Sequence, residues 1–297
     1  MKAALLLFGV CLPALADLAA GLQAVKIGDY SKALKEFLPL AEKGDAVAQF
    51  NLGFLYANGL GILQDYTAAL RFYRSAAEKG NASAQINLGA MYDHGIGVPQ
   101  DFAAAMVWYR KAAEQGDAVA EFDVGVMYDS GHGAPQDYAE ASRWYRKAAE
   151  QELPGAQFNL AVMYAAGHGV PQDYAQAFLW CHAAALRGEV NAQFNLGFMY
   201  DSGEGVPQDY AEALRWYQKA AERGDAKAQF NLGILYADGN GVQQDYVQAH
   251  MWISLAALGS SGDQQRAFFQ ERDSLAAKMT SQQIAEAQRL AREWKAK

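Results

Sequence analysis

An all-α fold of stacked helical hairpins is predicted by three observations. Aspartate followed by an aromatic residue stands at Asp29, Asp65, Asp101, Asp137, Asp173, Asp209 and Asp245, each 36 residues after the last. Residues 45–80 superpose in sequence on five further copies that end at residue 260, with Tyr56, Tyr92, Tyr128, Tyr164, Tyr200 and Tyr236 at one shared position. Within each copy the apolar residues recur at helical rather than strand spacing. A fixed period in this range means one supersecondary unit repeated, each copy burying its apolar face against its neighbours.

The first 16 residues read as a secretory leader. Lys2 precedes an apolar run from Ala3 to Leu12, and Ala14-Leu15-Ala16 offers a cleavage site before Asp17. The run is too short to cross about 30 Å of hydrocarbon, which takes about 20 residues. Cys11 lies inside it, after Phe8-Gly9-Val10, a context that argues against lipidation. The expected location is therefore periplasmic or secreted, with no stable membrane insertion.

The formal charge of −8 becomes −9 once the leader, with Lys2 and no acid, is removed. An acidic surface repels phosphate, so nucleic acid is excluded as a partner for want of the electrostatic attraction that drives non-specific binding, and an anionic bilayer is disfavoured likewise. Cys181 is the single cysteine after the leader. No intramolecular disulfide can form, and packing alone must hold the fold.

In each copy the first helix is expected from about Ala46 to Ala57, with Asp45 accepting the free amides of the first turn. Gly59 ends it, since a left-handed residue after the last turn costs glycine little. The loop residues Gly-Val-Pro-Gln at Gly97 to Gln100 and Gly205 to Gln208 lead into the second helix, capped by the landmark aspartate. Asp209 with Glu212, and Asp137 with Glu140, have capping-box spacing. The second helix carries an apolar stripe, Ala213, Trp216, Tyr217 and Ala220. Its row of large aromatics, Phe72, Trp108, Trp144, Trp180, Trp216 and Trp252, reads as core. Ala76, Ala77 and Gly53 are expected where neighbouring backbones approach closely.

The pattern Ala-x-x-x-Leu-Gly-x-x-Tyr-x-x-Gly-x-Gly, then Asp-Tyr-x-x-Ala, then Trp-x-x-x-Ala-Ala resembles the Sel-one-like repeat, a tetratricopeptide-related helical hairpin. The resemblance covers Asp45 to about Leu258 in six copies, and a weaker pair spans Asp17 to Gly44. It implies a right-handed α-solenoid of stacked helical hairpins, a tetratricopeptide-like superhelix. It also implies an adaptor or scaffold with no chemistry of its own. The expected organisation is a leader at 1–16, a degenerate helical pair at 17–44, six repeats at 45–260 and C-terminal capping helices at 261–297, where Thr280 and Gln283 form a second capping-box pattern.

Positions 47, 51, 54 and 58 share one stripe of the first helix, because steps of 4, 3 and 4 return to nearly the same direction. In a tetratricopeptide-like arrangement that stripe faces the concave groove. Asn51, Asn87, Asn159, Asn195 and Asn231 recur on it, with Asp123 in the third copy. Beside them the neighbours vary: Phe54, Ala90, Val126, Val162, Phe198 and Ile234 at one position, Asn58, His94, Ser130, Ala166, Ser202 and Asp238 at another. Amides offer donor and acceptor to a polypeptide backbone, which suits capture of a protein or peptide. The alternative is that each asparagine bonds within its own repeat or to an adjoining helix. The candidate groove is Asn51, Asn87, Asp123, Asn159, Asn195, Asn231, Phe54, Phe198 and His94.

No catalytic, cofactor or metal site is expected. His132 and His168 sit between loop glycines, but one zinc needs further ligands at about 2.1 Å, and successive loops stand roughly 10 Å apart per helix layer. Cys181 and His182 are adjacent on a helix and point about 100° apart, so they make no thiolate–imidazole pair; Cys181 is expected to fill a core gap. Phosphate-loop, nucleophile-elbow and helical zinc-protease motifs are absent. A cell-wall enzyme or regulator binding peptidoglycan or β-lactams is the alternative function, suggested by cysteine-rich relatives of the repeat; those carry a cysteine pair per repeat, and this chain has none. Glu152-Leu153-Pro154 replaces the Gly-Asp-Ala of Gly116 to Ala118, removing a glycine stop and an aspartate cap, with Pro154 expected at the first helical position.

Overall fold

Asp17 opens the described part of the chain, residues 17–295 of a computed structural model; the leader at 1–16 lies outside it. Helices α1 (Leu18–Lys26) and α2 (Tyr30–Glu42) come first. Six helix pairs follow: α3 (Ala46–Asn58) and α4 (Tyr66–Glu78), α5 (Ala82–His94) and α6 (Phe102–Ala113), α7 (Ala118–Ser130) and α8 (Tyr138–Glu150), α9 (Pro154–Ala166) and α10 (Tyr174–Leu186), α11 (Val190–Ser202) and α12 (Tyr210–Glu222), α13 (Ala226–Asp238) and α14 (Tyr246–Leu258). Helices α15 (Gly262–Ala276) and α16 (Ser281–Glu293) close the chain, and no strand occurs among the described residues. Two compact units result, one of the residues up to Met127 with Gly131–Pro135, the other of Tyr128–Ser130 with the residues from Gln136 on.

The loop inside each pair is built from hydrogen bonds that the sequence spaces at fixed intervals. The first helix ends on a left-handed glycine, Gly59 with φ 65° and Gly203 with φ 79°. The loop glutamine then turns back to the carbonyls that the helix end leaves open: Gln64 Nε2 donates to Ala57 O at 2.8 Å, and Gln172 to Ala165 O at 2.7 Å. The amide of the landmark aspartate donates to the repeat tyrosine's carbonyl, Asp65 to Tyr56 at 3.0 Å and Asp209 to Tyr200 at 2.9 Å. Its carboxylate caps the second helix, Asp209 Oδ1 accepting from Ala211 N at 2.9 Å and Glu212 N at 3.1 Å.

The capping boxes expected at Asp209 and Asp137 do not form. Glu212 and Glu140 pair instead with Arg215 and Arg143 one turn on, at 2.5 Å each; a guanidinium on the same face competes better for the carboxylate than one backbone amide. Thr280 and Gln283 do form a box at the start of α16.

The glycine in mid-first-helix meets a side chain, not a neighbouring backbone. A Cβ at Gly53, Gly89 or Gly197 would lie 2.6 to 2.7 Å from a ring carbon of Tyr73, Tyr109 or Tyr217 in the second helix of the same pair. Gly21 has the same relation to Phe37, and Gly233 to Ile253. The aromatic ring therefore lies flat against bare helix backbone. A second close approach joins successive repeats, since a Cβ at Gly97, whose φ is 70°, would lie 2.7 Å from Tyr66 Cβ. Buried amides add a third connection: Gln85, Gln157, Gln193 and Gln229 each donate to the carbonyl of an alanine eight residues earlier, at 3.0 to 3.2 Å.

The irregular joint departs from this pattern as its residues require. Glu152 takes φ 65° without being glycine, Leu153 offers no side-chain cap, and Pro154 is the first residue of α9. At the other end α14 is buried from Ala249 to Ala257. Leu275 of α15 packs on Ala249 and Ile253, Phe268 stacks on Phe230 at 4.3 Å, and Trp294 meets Trp252 edge-on at 6.1 Å.

Two stability measurements follow from these contacts. A helical Gly→Ala change ordinarily gains about 1 kcal/mol, but Gly197→Ala forces its methyl into the buried Tyr217 ring, and overpacking costs about 1–3 kcal/mol; urea unfolding should show a net loss near 1 kcal/mol. Glu152→Gly relieves a left-handed side chain and should stabilise the chain by about 1 kcal/mol, because its exposed ion pair with Arg187 contributes little.

Candidate functional site

The predicted stripe exists on the first helices of both units, and its polar members differ in what they bond. In the first unit Asn51 is 8% exposed and donates from Nδ2 to Val47 O of its own helix at 2.8 Å. Asn87 reaches the hydroxyl of Tyr73, and in the second unit Asn231 reaches that of Tyr217. Asn159 follows the buried Tyr145 at the same 14-residue spacing, whereas Asn195 follows Cys181, so no tyrosine hydroxyl reaches it. The asparagine ladder is thus divided: some rungs are engaged inside the chain, and Asn195 stands where the tyrosine is replaced. Among the variable neighbours Phe54 is 36% exposed and Phe198 44%, Val126 and Val162 are similar and His94 is open to solvent, whereas Ala90 and Ile234 are half-buried.

Two hollows open on this stripe, one in each unit and related by three repeats. The first-unit hollow, about 310 Å³, is bounded by Phe54, Tyr66, Tyr73, Asn87 and Ala90. The second-unit hollow, about 390 Å³, has Val162, Tyr174, Cys181, Asn195 and Phe198 at the same five places. Cys181 stands where other repeats hold the tyrosine ring, and Ala161 stands opposite it where they hold glycine. Cys181 is 2% exposed and fills the core position expected of it, at the edge of this hollow; the accompanying exchange at Ala161 is the part that sequence reasoning missed. Comparing positions 161 and 181 across copies would have revealed the coupled exchange.

Residues 46–81, 82–117, 118–153, 154–189, 190–225 and 226–261 each match the model of the Sel1 repeat. The chain belongs to the Sel1 repeat family. A Sel1 repeat protein of Oxalobacter formigenes superposes with a TM-score of 0.72 at 32% identity, over 82% of this chain and 97% of that one. A protective antigen of uropathogenic Escherichia coli with an SLR fold gives a TM-score of 0.52 at 26% identity, over 93% and 83% of the two chains. Comparison with curated proteins gives no significant match. Sel1 repeat proteins generally mediate protein–protein interactions and are typically non-catalytic.

Burial pushes the Cys181 thiol up to about 12, and its Sγ donates to Ala192 O at 3.3 Å, so no thiolate stands beside His182. The imidazole of His182 packs against Phe178 and Trp216. His132 and His168, the other pair singled out from the sequence, stack on Phe102 at 4.2 Å and Tyr138 at 4.9 Å. Among the described residues no group of three His, Cys, Asp or Glu side chains could hold a metal ion. No described helix is long and apolar enough to cross a membrane.

Asp123 is the electrostatic exception in the ladder. Burial, then the neighbouring Asp93 and Asp117, push its carboxyl up to about 7. Its pKa in the unfolded chain is about 3.9, so between about pH 4 and 7 the folded state holds a proton that the unfolded state has lost. Stability from this group is therefore present below pH 4 and declines as pH rises through 7. Asp123→Asn, which installs the residue of the other five repeats, should stabilise the protein on the order of 2 kcal/mol at pH 8 and change nothing near pH 4, read by urea unfolding at the two pH values.

Proposed function

We propose that this protein is an exported, non-catalytic adaptor that captures another protein or peptide on the first-helix stripes of its Sel1 repeats. The observation that carries the reading is the composition of that stripe. Exposed Phe54, Val126, Val162 and Phe198 alternate with amides, so apolar anchor sites lie beside donors and acceptors suited to a polypeptide backbone. Side chains at the anchor position change from copy to copy while the supporting core does not, as expected where the frame is general and the ligand particular. Export is supported by the leader composition of residues 2–16, and the acidic surface favours a partner that is neutral or basic where it docks. Rigid display of shape is the mechanism, with no bond made or broken.

Affinity capture from an envelope extract, using the chain from Asp17 onward, tests the reading. One stoichiometric protein should be recovered, and Asn159→Ala with Asn195→Ala should reduce its recovery about tenfold, with the unfolding curve of the variant recorded beside it. Unchanged capture by that variant would remove the stripe from consideration. Recovery of peptidoglycan fragments alone would favour the cell-wall reading, and a chain confined to the cytoplasm with residues 1–16 retained would count against export.

A further inference from the structure

The hollow around Cys181, about 390 Å³, is larger than its counterpart of about 310 Å³ at Tyr73, where the ring is kept. At the equivalent places Tyr73, Tyr109 and Tyr217 lie with their rings on a glycine of the first helix, and the hydroxyls of Tyr73 and Tyr217 meet Asn87 and Asn231 of the next repeat. At Cys181 the ring and the hydroxyl are gone. Ala161, in place of the glycine, restores one methyl group only. Asn195, which corresponds to Asn87 and Asn231, therefore meets no tyrosine hydroxyl of the preceding repeat. Cys181 itself is 2% exposed and its thiol is engaged by Ala192 O, so the floor of the hollow is apolar and makes no polar demand.

We infer that this hollow is a binding pocket for a phenol-bearing side chain, a tyrosine supplied by the partner polypeptide. Three features select that occupant. The cavity of about 390 Å³ exceeds the roughly 150 Å³ that holds a benzene ring in an engineered apolar cavity. Its lining is apolar apart from Asn195 and Glu204, and Tyr174 and Phe198 stand at it as aromatic surfaces for edge or face contact. The Asn195 amide offers the phenol hydroxyl the kind of partner that Asn87 and Asn231 offer to hydroxyls from within the chain. An aliphatic side chain would fill the volume and leave the amide unpaired, and an acid would bring a second negative charge beside Glu204. Tyrosine answers both the shape and the polar group. The adaptor function rests on the whole stripe, and this inference adds one anchor to it.

The pocket is tested with p-cresol, the tyrosine side chain without its backbone, titrated calorimetrically into the full chain with toluene as the apolar control. One p-cresol should bind per chain, about fivefold more tightly than toluene, the difference one hydrogen bond makes. Asn195→Leu should erase that preference while toluene still binds. Ala161→Gly with Cys181→Tyr rebuilds the glycine–tyrosine pair of Gly197 and Tyr217 and should remain folded while weakening p-cresol binding at least tenfold. Failure of p-cresol to bind the wild-type chain, or equal binding by the rebuilt variant, overturns the pocket. If p-cresol fails while Asn159→Ala still weakens partner capture, the pocket falls and the stripe stands.

Discussion

Where a repeat keeps its glycine and tyrosine, the helix pair is placed by an aromatic ring lying against a stretch of helix that has no side chain. With the ring of Tyr73 or Tyr217 seated on its glycine, the two helices of a pair approach more closely than any residue with a Cβ allows. The seating sets which residues of the first helix turn inward, and so which turn outward to form the stripe. It also carries the tyrosine hydroxyl to the amide of the following repeat. Packing within a pair and polar contact between pairs are consequently one arrangement.

Much of this was legible in the sequence, because repetition turns a weak local signal into a strong one. The helix ends, the left-handed glycines, the aspartate caps and the stripe register all follow from residue types whose backbone preferences are local. Where the reading erred, the deciding partner was remote. Glu212 and Glu140 have capping-box spacing, yet an arginine one turn on, invisible to a motif, claims the carboxylate. Gly53 looked like a helix–helix crossing point, because a sequence cannot say whether backbone or ring will meet it. The buried glutamines, whose bonds span eight residues and two helices, have no recognisable local pattern.

The candidate site divides along the same line. That positions 51, 54 and 58 share a face is helical geometry and needed no structure. Which asparagines meet a hydroxyl depends on whether a tyrosine of the preceding repeat arrives, and that information lies 14 residues away in a different helix, as Asn87 and Tyr73 illustrate. The loss of the ring at Cys181 and the gain of a methyl at Ala161 are meaningful only together. Each exchange alone resembles ordinary core drift.

The hydrogen bonds of the loop have a consequence for how such a chain changes its length. The glutamine-to-carbonyl and aspartate-to-tyrosine bonds both close within a single pair, and the Gly97 to Tyr66 approach recurs at the same spacing along the chain. Removing or duplicating 36 residues in phase therefore leaves every donor with an acceptor and every glycine opposite its proper neighbour. A gene encoding this fold can recombine with itself and yield folded products, each displaying a different subset of stripe side chains. The surface of such a chain then varies by shuffling whole units rather than by remodelling any one of them.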